Sequence, residues 1–169
     1  MKKILYKTTC DSPLGKLTLA SNGTSLIGLW MEGQHYFADS VQGELTEEGS
    51  LPLFDEVKTW LDAYFAGQNP DAGHLKLAPE GTEFRKAVWT ILREIPYGET
   101  RTYGQIAAQI AAQRGAKTMS AQAVGGAVGH NPISIIIPCH RVMGADGSLT
   151  GYAGGIEKKQ FLLELEGQQ

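Results

Sequence analysis

Apolar residues follow two different periods along this chain of 169 residues. In the first thirty residues they alternate with polar ones in short runs, Ile4 to Thr9, Lys16 to Ala20 and Ser25 to Trp30, separated by Asp11-Ser12-Pro13-Leu14-Gly15 and by Asn22-Gly23. Alternation broken by turn residues predicts a β-meander, and Asn-Gly is the strongest short hairpin signal. A polar, Glu-rich loop follows. Leu53, Val57, Trp60, Leu61, Tyr64 and Phe65 then recur at helical spacing up to Gly67, which predicts an amphipathic helix.

The stretch from Gly67 to Gly81 contains Asn69-Pro70-Asp71, Gly73 and Pro79, a linker composition, and sets the expected boundary between a small α/β domain over 1–78 and a mostly helical domain over 79–169. The predicted class is α+β. In the second domain Thr82 caps a helix with Phe84, Val88, Ile91, Leu92 and Ile95 on its apolar face, ended by Pro96-Tyr97-Gly98. Thr102 and Gln105 form a capping box for a second helix carrying Tyr103, Ile106, Ala107, Ile110 and Ala111. Gly115 breaks it, and Thr118 or Ser120 caps a third with Ala121, Val124, Gly125 and Val128 on one face and Gln122, Gly126 and Gly129 on the other. Two helices around a short Gly-containing break outline a helix-turn-helix.

Gly125 and Gly126 inside a helix cost about 1 kcal/mol each relative to alanine. Either a tight helix crossing or a bare face laid against a nucleic-acid backbone accounts for them. Further on, Asp146-Gly147 predicts a hairpin turn and Ser148 to Tyr152 a strand, together a wing. A last helix carries Phe161, Leu162 and Leu165 and stops at Gly167.

The chemistry concentrates ahead of that wing. Ile135 to Val142 read Ile-Ile-Ile-Pro-Cys-His-Arg-Val, which predicts a buried strand halted by proline directly before Cys139. His140 and Arg141 beside the sulfur favour its thiolate, the form that attacks electrophiles, and His140 is placed to draw off the thiol proton. Glu166, in the final turn of the last helix, is either a solvated carboxylate or the third member of a Cys, His, Glu relay. Tyr103 is either core packing or an aromatic donor at a pocket rim. Asn131, followed by Pro132, is either a turn residue or a bracket tying two loops together.

Charge changes the picture only when it is divided by position. The net charge of −3 argues weakly against nucleic acid, yet residues 1–79 carry six Lys/Arg against ten Asp/Glu, and residues 80–169 carry nine against eight. Between Arg101 and Tyr152 stand Arg101, Arg114, Lys117 and Arg141 against Asp146 alone, compatible with a modest phosphate-binding surface or an ordinary solvated face. No long apolar run or signal core occurs, and two cysteines without secretory context predict a soluble cytoplasmic protein with reduced thiols, with no membrane partner. His35, His74 and His130 lie far apart and Cys10 has no C-x-x-C partner, so no metal spacing is present. With no phosphate loop or dinucleotide fingerprint either, a reaction of a thiol without metal or cofactor is expected.

Asn131-Pro132, then Ile137-Pro138-Cys139-His140-Arg141-Val142, Gly151-Tyr152-Ala153-Gly154-Gly155 and Leu165-Glu166-Gly167 resemble the O6-alkylguanine-DNA alkyltransferases, also called methylated-DNA-protein-cysteine methyltransferases. The resemblance runs from about Thr82 to Gly167 and is highly specific; the amino-terminal part is similar in pattern only to that family's small ribonuclease-H-like α/β domain. It implies a winged helix-turn-helix domain that binds double-stranded DNA through the minor groove, rotates the damaged base out, and moves the alkyl group from O6 of guanine to Cys139 in one turnover. By the match, His140 relays the Cys139 proton through a water toward Glu166, Asn131 is the structural bracket, and Tyr103 donates to the guanine ring nitrogen. Val142 and the Tyr152, Ala153, Gly154 segment line the base pocket. Gln122, Ala123, Gly126, Arg141 and Lys117 face DNA. The protein acts as a monomer, and O4-alkylthymine stays open as a second substrate.

Two departures stand out. The arginine that usually fills the hole left by the flipped base falls on Gln122, and the loop from Gln109 to Met119 is a few residues longer than usual. Two rival classes compete: a sensor that binds alkylated DNA without repairing it, which characteristically lacks the acceptor cysteine present here, and a Cys-His hydrolase, for which adjacent Cys139 and His140 are poor geometry.

Overall fold

The computed structural model describes residues 4–34, 36–149 and 152–167. The chain divides into two compact units, Met1–Glu80 with Pro132–Ser134, and Gly81–Asn131 with Ile135–Gln169. Residues 132–134 thus leave the second half of the sequence and join the first unit, which the expected 79–169 boundary did not foresee.

The first unit holds β1 (Ile4–Ser12), β2 (Gly15–Ser21), β3 (Leu26–Met31), β4 (Glu44–Glu47) and α1 (Pro52–Phe65). The strand order is β3-β2-β1-β4. The three predicted strands form antiparallel pairs, and β4, running parallel to β1 from Ile4↔Glu44 to Lys7↔Glu47, was hidden in the Glu-rich loop. Its segment Glu-Leu-Thr-Glu lacks strand composition. Leu45 alone of these four packs against the cluster of Leu5, Ala20, Ile27 and Trp30. All six residues of β3 are buried, because its outer edge is covered as well: Leu26 bridges Leu77, and Leu29 bonds to Pro132 O at 2.8 Å and to Ser134 N at 3.0 Å. α1 starts with Pro52, which suits a first turn that needs no N–H, and buries Leu53, Phe54, Val57, Trp60, Leu61 and Tyr64.

The second unit holds α2 (Glu83–Arg93), β5 (Arg101–Thr102), α3 (Tyr103–Gln113), α4 (Ala121–Gly129), a single 3₁₀ turn at Cys139–Arg141, β6 (Val142–Met143) and α5 (Ile156–Leu165). Thr82 caps α2 through Arg85 N–H, Thr102 and Gln105 form the reciprocal capping box of α3, and Ser120 rather than Thr118 caps α4 through Ala123 N–H. α2, α3 and α4 pack on one another. Trp89, buried on α2, donates its indole N–H to Ala127 O of α4 at 2.8 Å.

Two expectations give way here. Residues Ile135 to Ile137 are fully buried but form turns, not a strand. Ile135 sits at φ +70°, a left-handed conformation that a β-branched side chain adopts at a cost of about 1–3 kcal/mol. A run of β-branched residues predicts a strand, but no strand pairs with these three residues, and they are buried without one. The wing is likewise incomplete among the described residues. Gly147 N–H bonds to Gly144 O and Gly144 N–H to Ser148 O, which closes the predicted turn, but Ser148, Leu149 and Tyr152 are not in a strand; Thr150 and Gly151 lie outside the described residues. β6 instead takes its partner from upstream, pairing parallel with β5 through Arg101↔Val142 and Thr102↔Met143.

Candidate active site

The reactive segment is built on a proline turn. Pro138 has φ −82° and ψ 67°, the centre of an inverse γ-turn, and Cys139 N–H donates to Ile137 O at 2.8 Å across it. The pyrrolidine ring holds φ near the value the turn needs. Asn131 Nδ2 donates to the same Ile137 O at 2.8 Å, so the end of α4 is tied to the residue two before the thiol. Of the two readings of Asn131, the bracket is the one that forms.

Cys139 is 4% exposed. Burial pushes its thiol up to about 11, against the opposing pull of the Asn131 amide, the Lys159 ammonium and the backbone N–H groups of Cys139 and His140. His140 and Arg141 were expected to favour the thiolate, but neither side chain is among the groups that lower this thiol. Desolvation wins, and the resting group is a thiol.

His140 and Arg141 both turn to Glu166. His140 Nε2 lies 2.6 Å from Glu166 Oε2, with neither side chain exposed. Burial holds the His140 pKa below its ordinary value, although the hydrogen bond and charge of Glu166 pull it up. Arg141 was expected on the DNA surface. It is directed inward instead, with Nε 2.8 Å from Glu166 Oε1, Nη2 3.1 Å from Oε2 and Nη1 2.7 Å from Ile95 O. A buried carboxylate satisfied by several donors competes for a guanidinium better than solvent does. Gly98 N–H adds a 3.3 Å contact to Glu166 Oε1 from a turn at φ +80°, and a Cβ at Gly98 would stand 3.2 Å from Glu166 O.

Tyr103 opens α3 immediately after β5, and the β5–β6 pairing brings it to the segment that follows Cys139. Burial raises its phenol pKa and the charge of a Cys139 thiolate raises it further, so the two groups are electrostatic neighbours. The Tyr103 ring also lies on α4: a Cβ at Gly125 would meet its Cδ1 and Cε1 at 3.9 Å, an ordinary contact, and a Cβ at Gly126 would meet nothing within 4 Å. A tight crossing therefore explains neither glycine. Gln122, Ala123 and Gly126 are exposed on α4, and Lys117 is exposed in the loop before it.

Lys159 is the buried charge acting on Cys139 that the sequence reading missed. It is wholly buried on α5 and donates to Val142 O, and burial pulls its pKa down to about 8 while the charge of Cys139 opposes that fall. The signal was legible in retrospect: Lys159, Leu162, Leu163 and Glu166 recur at spacings of three and four, one stripe of a helix. Phe161, expected with Leu162 and Leu165 among the apolar residues of this helix, is 37% exposed. Val142 is buried on β6, and in the turn that leads to α5 Tyr152 is buried and Ala153 and Gly154 are half-buried. Among the described residues no group of three or more His, Cys, Asp or Glu is placed to hold a metal ion, and no helix is long and apolar enough to cross a membrane. Cys10, half-buried in the first unit, and Cys139 are both free thiols.

Comparison with known proteins identifies the family. The ribonuclease-like domain of 6-O-methylguanine DNA methyltransferases matches residues 5–79, and their DNA-binding domain matches residues 83–168. A methylated-DNA–protein-cysteine methyltransferase of Haemophilus influenzae is 44% identical over 96% of this chain and 86% of its own. One from Methanosarcina acetivorans is 46% identical over 96% and 99%. Among solved structures, Mycobacterium tuberculosis OGT in complex with DNA superposes with a TM-score of 0.82 at 47% identity, covering 95% of this chain and 92% of that one. The O6-methylguanine-DNA methyltransferase of Pyrococcus kodakaraensis gives 0.69 at 27% identity over 97% and 99%. With both halves of the chain matched in order and relatives at this identity across nearly its whole length, the chain belongs to the O6-methylguanine DNA methyltransferase family.

Proposed function

We propose that this protein repairs DNA by direct reversal, with Cys139 accepting the alkyl group from O6 of guanine in double-stranded DNA. The observation that carries the assignment is the buried thiol on its proline turn, in the same unit as the exposed glycine face of α4. The Sγ–C bond forms as the C–O6 bond breaks. The thiol proton leaves toward His140, whose imidazolium Glu166 stabilises, while Tyr103 donates to the guanine ring so that the purine departs neutral. In sum one proton passes from the thiol side to guanine, and a thioether replaces the thiol.

The same burial that opposes a thiolate favours that thioether, which is neutral and apolar. Passing the alkyl group on would have to expel Cys139 as a thiolate, which its burial disfavours, so each molecule acts once. The exposed face of Gln122, Ala123 and Gly126 contacts the minor groove, with Lys117 on phosphate, and Val142, Tyr152, Ala153 and Gly154 border the extruded base. The protein works as a monomer in the reducing cytoplasm, where both cysteines stay free.

The test is stoichiometric. Excess duplex containing O6-methylguanine is mixed with the protein, and the Cys139 and Cys10 peptides are weighed. One methyl per molecule on Cys139, restored guanine and no later turnover are expected. Tight binding with an unmodified Cys139 peptide would identify a sensor, and repeated turnover of an ester a hydrolase.

A further inference from the structure

Arg141 makes more side-chain bonds inside the site than a surface cation needs. Its fork engages both oxygens of Glu166 at 2.8 and 3.1 Å, its remaining nitrogen reaches Ile95 O at 2.7 Å, and the guanidinium carbon lies 5.8 Å from the centre of the Tyr97 ring. Only 11% of the side chain is exposed. Such a residue is poorly disposed to contact phosphate. Its geometry acts on Glu166, and through Glu166 on His140.

We propose that Arg141 is a positioning residue for the transfer reaction: by setting its positive charge against Glu166 it keeps that carboxylate ionised and acceptor-only, which places the proton of the neutral His140 ring on Nε2 and makes Nδ1 the base. This rests on the reading of Cys139 as alkyl acceptor. A carboxylate whose charge is already matched by a guanidinium still accepts a hydrogen bond from His140 at 2.6 Å, but it pulls less strongly toward an imidazolium. Without Arg141 an uncompensated carboxylate faces the ring. The ring then holds its proton at neutral pH and cannot take one from the thiol.

The charged groups that act on His140 are Glu166, which raises its pKa, and Arg141 and Lys159, which lower it. Lys159 is pulled down to about 8 and Cys139 pushed up to about 11 by burial, and Arg141 is not among the causes of either shift. The informative quantity is therefore the ratio of variant to unmodified rate at each pH, in which those titrations largely cancel.

Single-turnover methyl transfer from a duplex containing O6-methylguanine is measured from pH 6 to 9 for the unmodified protein, Arg141→Met and Arg141→Lys. Arg141→Met is expected to be slower by about tenfold or more at pH 7, with the deficit closing to roughly twofold at pH 9. Arg141→Lys restores a large part of the neutral rate, because it returns the charge without the fork. A deficit in Arg141→Met that is the same at every pH, or no rescue by lysine, overturns the proposal. Nitrogen-15 NMR of the histidine rings in the unmodified protein without DNA gives a second decision that needs no variant to fold. A neutral His140 with its proton on Nε2 at pH 7 is expected, and an imidazolium or an Nδ1-protonated ring overturns it. Should the unmodified protein transfer no methyl group, the acceptor reading fails while the NMR measurement still decides the state of the ring.

Discussion

Glu166 Oε2 stands 2.6 Å from His140 Nε2 with both side chains wholly buried, and the same carboxylate carries the Arg141 fork and a contact from Gly98 N–H. One side chain thus gathers a histidine and an arginine from the turn at Cys139–Arg141 and a backbone N–H from the turn at Gly98. Its removal has structural and chemical effects that can be separated.

Glu166→Gln leaves Arg141 without a counter-charge and directs an amide donor at groups that are themselves donors. A loss of about 3–5 kcal/mol in unfolding free energy is expected, as for other broken buried pairs. The alkyl-transfer rate should fall by about a hundredfold or more at temperatures where the variant is still folded. Urea melts followed by circular dichroism measure the first, and rapid-quench transfer the second. A normal rate in a folded variant would remove Glu166 from the relay.

Cys139 and Lys159 set the alkaline limb of stability in opposite senses. Lys159 is lowered from 10.5 to about 8, so between those values the unfolded chain binds the extra proton and stability rises with pH. Cys139 is raised from 9.0 to about 11, so there the folded chain holds the extra proton and stability falls with pH. Their combined contribution rises from about pH 8 to 9 and is largely cancelled above that. Cys139→Ala removes the falling part, and its stability relative to the unmodified protein should climb from pH 9 to 10.5. Chemical denaturation across that range checks the sign, and a flat difference would mean that burial does not raise the thiol above its ordinary value.

The course of the chain was legible wherever a local rule decided it. Thr82, the Thr102 and Gln105 box and Ser120 each satisfy backbone donors within three residues, and helices begin where those rules place them. Signals that depend on distant partners were not legible. β4 exists because β1 offers an edge to Glu44–Glu47, and Ile135 to Ile137 are buried without a strand partner. The site divides in the same way. Cys139 and His140 announce themselves by adjacency, but Arg141 reads as a surface cation until Glu166, 25 residues later, is seen to accept its fork. Lys159 reads as a solvated helix lysine until Val142 O and the thiol are found beside it.

Gln122 is exposed at the start of α4, where nothing in the fold depends on it. Gln122→Arg should leave the melting temperature nearly unchanged and add one cation to the DNA-facing helix. Tighter duplex binding, a salt dependence steeper by about one counterion and faster transfer are expected, because an arginine can fill the space left by the extruded base and neutralise a phosphate. Binding isotherms at several salt concentrations and single-turnover rates measure these. If affinity and rate are both unchanged, glutamine performs the task unaided and the departure from the family pattern has no cost.

Gly126 separates the needs of the fold from those of the ligand. A Cβ there would meet nothing within 4 Å, and the residue lies inside α4. Alanine is a better helix former than glycine by about 1 kcal/mol, so Gly126→Ala should stabilise the free protein by up to that amount. The gain should be matched by a loss elsewhere, since the added methyl projects from the surface proposed to meet DNA. Duplex affinity is expected to fall by roughly fivefold or more, the equivalent of about 1 kcal/mol. Gly125→Ala meets the Tyr103 ring at 3.9 Å, an ordinary contact, and so serves as the comparison for a methyl added one residue away. Thermal melts and binding isotherms on the two variants settle the matter. A Gly126→Ala protein that is more stable and binds DNA undiminished would leave the bare face of α4 without a purpose and would return Gly126 to the status of an unexplained helix glycine.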